Sequence, residues 1–358
     1  MDQIGQNTIR EIEEQPEVIR RTIENTDLYR ELAERISRLQ PELIIFTGSG
    51  SSFNAGFASL YLFNKIAKIP TWIVHSSEFP YLIDPILKAE RHLVIAISQS
   101  GESPGTVSAA ESANLKNIPT LAITAHPTSP LAQKSSMILP LLSGEEQSVM
   151  ATKTYMAQVA GLSRLALELG TYNENLETSI LKELLSALKR IPKEIETIIP
   201  SLKQSISEIA PCYKFAKQAF ILGSGPDYAT AMEAALKLKE GARILAEDYS
   251  APEFRHGPIT LADEYTMILA LVPHISSNRF KSVNSLLEKV HQRHSSILAI
   301  TPNHDLPYEF LIKMPHLHED LSPLINIVPI QILVYQIAIL RGYDPDNPKF
   351  LTKVVREE

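Results

Sequence analysis

The sequence predicts an α/β protein of two tandem domains, each a three-layer αβα sandwich around a five-stranded parallel sheet. An internal duplication, strand-length apolar runs and the helix-length segments between them support this prediction. Residues 43–50 (LIIFTGSG) reappear in outline at 219–225 (AFILGSG), and residues 121–124 (LAIT) reappear at 298–301 (LAIT). Both offsets are about 175 residues, far longer than solenoid periods, so we infer a duplicated domain.

In the first copy, apolar runs of strand length alternate with segments of helix length. Near-continuous apolar strands between helices are typical of a parallel sheet that is covered on both faces. We predict strands at residues 43–47, 71–75, 93–98, 120–124 and 137–141, with helices between them such as 53–67 and 104–115.

The second copy repeats this alternation, and long amphipathic helices precede, join and follow the copies. Strands are predicted at residues 218–222, 243–246, 267–272, 296–301 and 310–314, and long helices within 4–39, 152–199 and 323–341. The predicted organisation is two N-terminal helices (1–40), a first domain (41–170), a connecting helix (171–210), a second domain (211–342) and a closing tail (343–358).

Composition excludes several classes of function. The chain has 358 residues, 44% of them hydrophobic, and a net charge of −7, which argues against nucleic acid as a partner. The single cysteine, Cys212, excludes an internal disulfide framework and fits a reducing cytosol. No run of 18 apolar residues or signal peptide is evident, so we expect a soluble cytosolic protein without membrane contact.

Two serine-rich turns follow predicted strands and precede predicted helices. The helix N-termini there offer backbone N–H groups and a favourable dipole to an anion, and ligands of open α/β sheets bind at such strand ends. The turns predict a phosphate site. Its candidate residues are Ser49, Gly50, Ser51 and Ser52 in the first turn and Ser98, Gln99, Ser100 and Ser103 in the second.

Other interpretations of these turns are weaker. A dinucleotide fingerprint would need a third glycine at the required spacing, and a Walker loop would need Gly-Lys-Ser/Thr. Serines that merely cap helices are common, but two serine clusters at strand ends favour phosphate. The second copy has Gly223-Ser224-Gly225-Pro226 and Pro273-His274-Ile275-Ser276 at the matching positions, so we expect it to lack the site.

The segment from Glu233 to His256 carries the candidate acid–base chemistry. Residues three or four apart share a helix face, so Glu233, Lys237 and Glu240 project together, and His256 follows on a Gly-Pro turn. A carboxylate beside a cation, with an imidazole nearby, is suited to general acid–base catalysis. The alternative is a solvated helix face, but the small apolar residues around the motif argue against it.

Three further sets of residues are weaker candidates. His316-Leu317-His318-Glu319 resembles a metal site but lacks a third ligand at a typical zinc spacing, so we predict a structural role and no metal. Cys212 has no adjacent basic residue, which favours packing over nucleophilic chemistry. Thr152-Lys153 could be a helix cap followed by a surface lysine.

Nearly end to end, the chain resembles the sugar-isomerase (SIS) family, in particular the isomerase half of the glutamine:fructose-6-phosphate amidotransferases. The resemblance implies two SIS domains of flavodoxin-like fold. It rests on five segments in the family's order: residues 50–53 (GSSF), 98–103 (SQSGES), 149–153 (VMATK), 233–258, which end in His-Gly-Pro, and 347–353 (NPKFLTK).

The resemblance also implies roles for single residues. Glu240 would move a proton between C1 and C2 of a hexosamine or hexose 6-phosphate, and Lys237 with Glu233 would handle hydroxyl protons. His256, supplied by the partner subunit of a homodimer, would open the sugar ring. Lys353 would form a Schiff base with the ketose or shield its carbonyl. Val149 and Thr352 would contribute backbone contacts.

The chain departs from the family's pattern at several positions. Ser49 replaces a cysteine and Ala151 a serine in the sugar pocket, and no cysteine precedes Cys212. We therefore expect no release of ammonia from glutamine by the family's N-terminal cysteine. The resemblance then points to conversion of glucosamine 6-phosphate to fructose 6-phosphate and ammonia, without a cofactor. Ammonia-dependent synthesis, a deglycase activity on sugar-amine phosphates and a non-catalytic sugar-phosphate sensor stay open as alternatives.

Overall fold

The structure is a computed structural model that describes residues 4–89, 91–172 and 176–353. It divides into two compact units, each of which contains one copy of the duplication. The first unit comprises Glu14–Glu146, Lys153–Pro192 and the chain from Thr352, and the second comprises the chain up to Glu13, Gln147–Thr152 and Lys193–Leu351. Residues 147–152 thus group with the second copy, and the chain from Thr352 groups with the first copy.

The first unit contains a five-stranded parallel sheet in the order β2-β1-β3-β4-β5. Its strands are almost wholly buried where they are central, and apolar side chains such as Ile45 and Val94 form the core. The elements of this copy are β1 (Leu43–Gly48), α4 (Ser51–Leu62), β2 (Thr71–His75), α5 (Phe79–Leu82), β3 (His92–Ile97), α6 (Pro104–Leu115), β4 (Thr120–Thr124), α7 (Pro130–Gln133) and β5 (Met137–Pro140).

The second unit contains the matching sheet, β10-β9-β8-β6-β7, in which β6 takes the place of β1. All its pairings are parallel. The prediction of a duplicated α/β domain with five-stranded parallel sheets is therefore confirmed. The elements of this copy are β6 (Gln218–Gly223), α10 (Pro226–Glu240), β7 (Leu245–Ser250), β8 (Met267–Leu271), α11 (Phe280–His291), β9 (Ser296–Thr301), β10 (Phe310–Lys313) and α12 (Pro323–Leu340).

The helices outside the copies differ from the sequence prediction in their breaks. Between residue 4 and β1 the structure has three helices rather than two. Asn25 ends the second of them, and its side chain accepts a hydrogen bond from the backbone N–H of Leu28 in the third. The joining region is two helices, the second of which extends ten residues beyond 199 to Ile209. The ranges are α1 (Gln6–Glu13), α2 (Gln15–Glu24), α3 (Thr26–Leu39), α8 (Lys153–Gly170) and α9 (Thr178–Ile209).

Strand β7 runs over Leu245–Ser250, whereas the sequence predicted residues 243–246. Arg243 has φ of 51°, a left-handed conformation that does not belong to a strand. Because β7 is an edge strand, its outer residues are polar, and Glu247 and Asp248 escaped a search for apolar runs.

Helix α12 is long and apolar enough to cross a membrane by length and composition alone, with a mean hydropathy of 1.9. The helix carries no charged residue, although Asn326, Gln331 and Gln336 keep it from being a continuous run of 18 apolar residues. However, 72% of the segment is buried inside the structure, as in the core helix of a soluble protein, so one such helix is weak evidence for a membrane.

Candidate active site

In the first unit, the two serine-rich turns follow neighbouring strands. Strands β1 and β3 pair directly, while β2 lies on the other side of β1, so the chain order reverses between β1 and β3. This switch point is where open α/β sheets bind ligands. Helices α4 and α6 begin there, and neither has a side-chain cap on its first turn. The arrangement is suited to an anion held by helix N-termini.

The turn after β3 is shaped by its own serines. The Ser98 hydroxyl accepts a hydrogen bond from the Gly101 N–H at 3.1 Å and lies 3.2 Å from the Ser103 hydroxyl. The Ser100 hydroxyl accepts one from the Glu102 N–H at 3.1 Å. A hydroxyl that accepts through a lone pair still has its own hydrogen to donate. Ser98 and Ser100 can thus shape the turn and bind an anion at the same time.

Gly101 is required at the centre of this turn. Its φ is +65°, and an added Cβ would lie 2.1 Å from the Ser129 hydroxyl oxygen. Any larger residue would combine a strained backbone with a clash. The glycine therefore brings the serine turn into contact with the start of α7, where Ser129 caps the helix.

The turn after β1 is held by polar contacts to its neighbours. The Ser49 hydroxyl lies 2.6 Å from the Ser76 hydroxyl, and the Ser52 hydroxyl accepts from the Gln158 amide at 2.9 Å. His75 stacks on Phe53 at the start of α4, with ring centroids 3.7 Å apart. Burial lowers the pKa of His75, although Glu78 partly opposes this. The imidazole next to this turn is thus biased towards its neutral form.

A cleft of about 1010 Å³ opens beside the serine turn of β3. Gln99, Ser100 and Lys353 all line it, although Lys353 comes from the far end of the chain. The Lys353 ammonium contacts a carboxylate oxygen of Glu146 at 2.7 Å, and the other oxygen of Glu146 accepts from the Thr154 N–H at 3.2 Å. The Glu146 side chain is fully buried, so Lys353 is held by a carboxylate that is itself fixed.

In the second unit, helix α10 presents the predicted acid–base residues. Its alanines favour a helix, and Ala231, Ala234 and Ala235 are buried against its neighbours. The helix ends at Glu240, and an added Cβ on the next residue, Gly241, would lie 2.6 Å from Val334 of α12. This close approach fixes the last turn of α10, which carries Glu240.

Lys237 lies between two carboxylates on this helix. Its ammonium is 2.6 Å from Glu240 and 3.3 Å from Glu233. Lys237 and Glu233 are fully buried, whereas the Glu240 side chain is 18% exposed. Burying a lysine is costly unless it is paired, so this helix face is not the solvated one considered as the alternative. Glu240 is the member of the triad that solvent reaches.

His256 lies on an exposed turn of the second unit that two neighbouring residues anchor. Phe254 is fully buried in the core with Phe220 and Tyr249, and the Arg255 guanidinium donates to the Ser282 carbonyl at 2.6 Å. The imidazole is exposed beside them. The turn therefore presents His256 outward from a rigid base.

The remaining predicted site residues lie outside both the serine turns and helix α10. Val149 and Ala151 are partly buried in the Gln147–Thr152 segment of the second unit. The Val149 N–H donates to the Asp346 carbonyl at 2.9 Å, so a backbone contact from Val149 to a ligand would use its carbonyl. Thr352 is exposed and belongs to the first unit, next to Lys353.

The second sheet has the same switch point, but its crevice is filled. Arg279 donates to the Ser224 carbonyl in the turn after β6 and pairs with Glu319 at 3.0 Å. Asp227 in the first turn of α10 accepts from Ser322 at 2.7 Å, and burial raises its pKa despite nearby Arg279. A cavity of only about 30 Å³ is left there. Protein side chains thus occupy the place that corresponds to the first unit's anion site.

The three weaker sequence candidates lie in different surroundings. His316 stacks on His274, and within residues 4–89, 91–172 and 176–353 no group of three or more potential ligands is placed to hold a metal. Cys212 is exposed, so the prediction that it packs is wrong; it lies on a short surface turn. Lys153 is buried and pairs with Glu14 at 2.6 Å, so it is not a surface lysine.

Sequence reasoning missed Glu146, and no local pattern could have revealed it. Its partner Lys353 is 207 residues away, and Glu145 beside it is an exposed glutamate of the same type. Arg21, which also lines the cleft, was missed because it looks like one basic residue of an amphipathic helix.

Comparison with known proteins places both copies in one family. Residues 40–167 and 213–341 match the SIS domain. The chain is 34% identical over 353 residues to the isomerizing glutamine–fructose-6-phosphate aminotransferase of Thermococcus kodakarensis; the match covers 98% of this chain and 58% of that protein. The chain thus spans little more than half the length of this relative.

Solved structures show the same architecture. The C-terminal domain of glucosamine-fructose-6-phosphate aminotransferase from Francisella tularensis superposes with a TM-score of 0.88 at 27% identity, covering 97% of this chain and 99% of that one. Glucosamine-6-phosphate deaminase from Thermotoga maritima superposes with a TM-score of 0.76 at 23% identity, covering 98% and 99%. At 23% identity, the similarity to the Thermotoga maritima structure shows a shared fold and nothing more.

Proposed function

Because the chain belongs to the SIS domain family, we propose that it is a sugar-phosphate isomerase-type enzyme that converts glucosamine 6-phosphate and water to fructose 6-phosphate and ammonia. The observation that carries the proposal is the buried Lys237 between Glu233 and Glu240, with Glu240 accessible to solvent. On a solvated surface helix the lysine would be exposed to water. A buried ammonium that holds a carboxylate in place is instead suited to proton transfer.

The proposed reaction begins with ring opening, in which His256 moves the proton between the ring oxygen and the C1 hydroxyl. Glu240 then removes the C2 proton of the open-chain amino aldehyde and returns it to C1. Over the same step O1 gains a proton and the nitrogen loses one, by way of Lys237 and Glu233. The product is a C2 imine, and water adds to it and releases ammonia. The ammonium of Lys237 stabilises the negative charge that develops during proton transfer.

The phosphate group is assigned to the serine turns of the first unit. Its two helix N-termini without side-chain caps, together with the hydroxyls of Ser98 and Ser100, provide neutral donors for an anion. A chain with a net charge of −7 has no global positive field to attract a phosphosugar, so local donors must hold it.

Ammonia release across a panel of amino-sugar 6-phosphates tests the proposal directly. Glucosamine 6-phosphate should release ammonia and yield fructose 6-phosphate, while glucosamine without phosphate should react far more slowly. Formation of glucosamine 6-phosphate only from fructose 6-phosphate and ammonium would favour synthesis, and release of a larger amine would favour a deglycase. Tight binding of the phosphosugar without turnover of any substrate would favour the sensor.

Replacement of Ser98 and Ser100 by alanine should raise KM for glucosamine 6-phosphate about tenfold or more and change kcat less. The phosphate is bound alike in the ground state and the transition state, so losing its donors weakens both equally. Steady-state kinetics would measure the split, with Ser108→Ala on the exposed face of α6 as the control. A fall in kcat at unchanged KM would remove phosphate binding from the role of this turn.

Replacement of Glu146 by glutamine should lower kcat/KM about as much as Lys353→Met does, because Glu146 acts through the ammonium that it holds. The double variant should then be no worse than either single variant, since residues that work as one unit are not additive. Glu145→Gln is the matched control at an exposed neighbour. Additive losses in the double variant would show that Glu146 acts independently of Lys353.

The proposal includes a homodimer in which the partner subunit supplies His256, as the family resemblance implies. The exposure of His256 on an anchored turn supports it. Light scattering should give a mass of twice 39.9 kDa. A monomer that retains full activity would contradict this part of the proposal.

A further inference from the structure

Three consecutive backbone N–H groups of the Gln147–Thr152 segment are donated to other parts of the second unit. The Gln147 N–H donates to one carboxylate oxygen of Glu11 at 2.5 Å, and the Ser148 N–H donates to the other at 3.2 Å. The Val149 N–H donates to the backbone carbonyl of Asp346 at 2.9 Å. This segment is therefore held through its backbone and not only through side-chain packing.

Asp346 links the same segment to the start of helix α1. Its carboxylate accepts from the N–H groups of Asn7 at 2.9 Å and Thr8 at 2.7 Å, and from the Thr8 hydroxyl at 2.6 Å. The Thr8 hydroxyl in turn lies 2.8 Å from the Ser148 hydroxyl. A carboxylate at a helix N-terminus satisfies donors that the helix itself leaves unpaired.

This cluster is buried, which makes its geometry specific. Glu11 and Thr8 are fully buried, as is Ser148, and Asp346 is 6% exposed. A buried carboxylate is costly unless hydrogen bonds satisfy it, so a segment that moved away would leave Glu11 with lost donors. Alternative positions of residues 147–149 are thus strongly disfavoured.

We propose that Glu11 and Asp346 are positioning residues that clamp the Gln147–Val149 segment in the geometry with which its backbone meets the sugar. The inference rests on the proposed function and on the backbone contact from Val149 to the sugar that the family resemblance implies. The Val149 N–H is already donated to Asp346, so the backbone contact from Val149 to a sugar hydroxyl would use the Val149 carbonyl as the acceptor. Asp346 immediately precedes the 347–353 segment, so the clamp also fixes where the closing tail begins.

Replacement of Glu11 by glutamine tests the clamp. The NH2 group of the glutamine would take the place of one carboxylate oxygen, and this donor cannot accept a hydrogen bond from a backbone N–H. Two readouts are informative: amide hydrogen exchange at Gln147 and Ser148, and the Kd for fructose 6-phosphate measured by calorimetry. We expect exchange to accelerate about tenfold or more at the amide that faces the new NH2 group, and less at the amide that still donates to the remaining oxygen without charge assistance. The Kd should rise about tenfold, and kcat/KM should fall by a similar factor.

Two control variants separate positioning from general loss of stability. Glu13→Gln removes a surface carboxylate of the same helix that pairs with Lys203, and it should change none of the readouts. Ile12→Val shortens a fully buried neighbour of Glu11 and should lower Tm while leaving the exchange at Gln147 and Ser148 and the Kd unchanged. Glu11→Asp should recover part of the affinity, since a shorter carboxylate still accepts from one of the amides.

The outcomes distinguish the clamp from the proposed function. Wild-type exchange rates at both amides in Glu11→Gln would overturn the clamp, and so would faster exchange without any change in the Kd. If the wild-type protein releases ammonia from no amino sugar, the proposed reaction fails by itself. Faster exchange together with weaker binding of fructose 6-phosphate would still support the clamp in that case.

Discussion

Glu240→Gln is expected to lower kcat for ammonia release by about two to four orders of magnitude, the usual contribution of a general base. Glutamine keeps the shape of the side chain and can still accept a hydrogen bond from the Lys237 ammonium, which lies 2.6 Å away. The fold and the affinity for the phosphosugar should therefore change little. Stopped assays for ammonia and fructose 6-phosphate would measure the loss.

Two further variants make the Glu240 prediction specific. Glu240→Asp retains the carboxylate but withdraws it by one methylene, so it should recover part of the lost activity if geometry is the limit. Glu264→Gln alters an exposed glutamate of the same unit and should be silent. Near-wild-type turnover in Glu240→Gln would mean that another group moves the C2 proton.

Lys237→Met is expected to lower the free energy of unfolding by about 3–5 kcal/mol, as is typical when one member of a buried ion pair is removed. The ammonium is fully buried and contacts Glu233, which is also fully buried. Methionine fills similar space but leaves the carboxylate without this cation. Urea unfolding, followed by circular dichroism, would measure the change.

A double variant distinguishes charge from packing in this prediction. Lys237→Met with Glu233→Gln removes both buried charges, so much of the stability should return while the activity stays lost. Lys239→Met, on the exposed side of the same helix, should alter stability by no more than about 0.5 kcal/mol. If Lys237→Met is as stable as the wild type, the buried pair contributes nothing to the fold.

Most of the architecture was predictable from the sequence because local patterns encode it. The near-repeat of residues 43–50 at 219–225 and the buried strands around it indicate a duplicated parallel sheet, and the structure has that sheet twice. The face of α10 was equally predictable, since helical spacing alone aligns Glu233, Lys237 and Glu240. The edge strand β7 was misplaced because its polar residues have no periodic signal.

Contacts between distant parts of the chain were decided only by the tertiary structure. Nothing near Glu146 indicates that Lys353 will lie 2.7 Å from it, and nothing near Glu11 indicates that it will accept two N–H groups of residues 147 and 148. Periodicity reports which face of an element is buried, but not which distant residue meets it there. A buried charge needs partners to offset the loss of water, and only the folded chain brings those partners to it. The sequence therefore gives the type of residue, and the tertiary structure decides what that residue contacts.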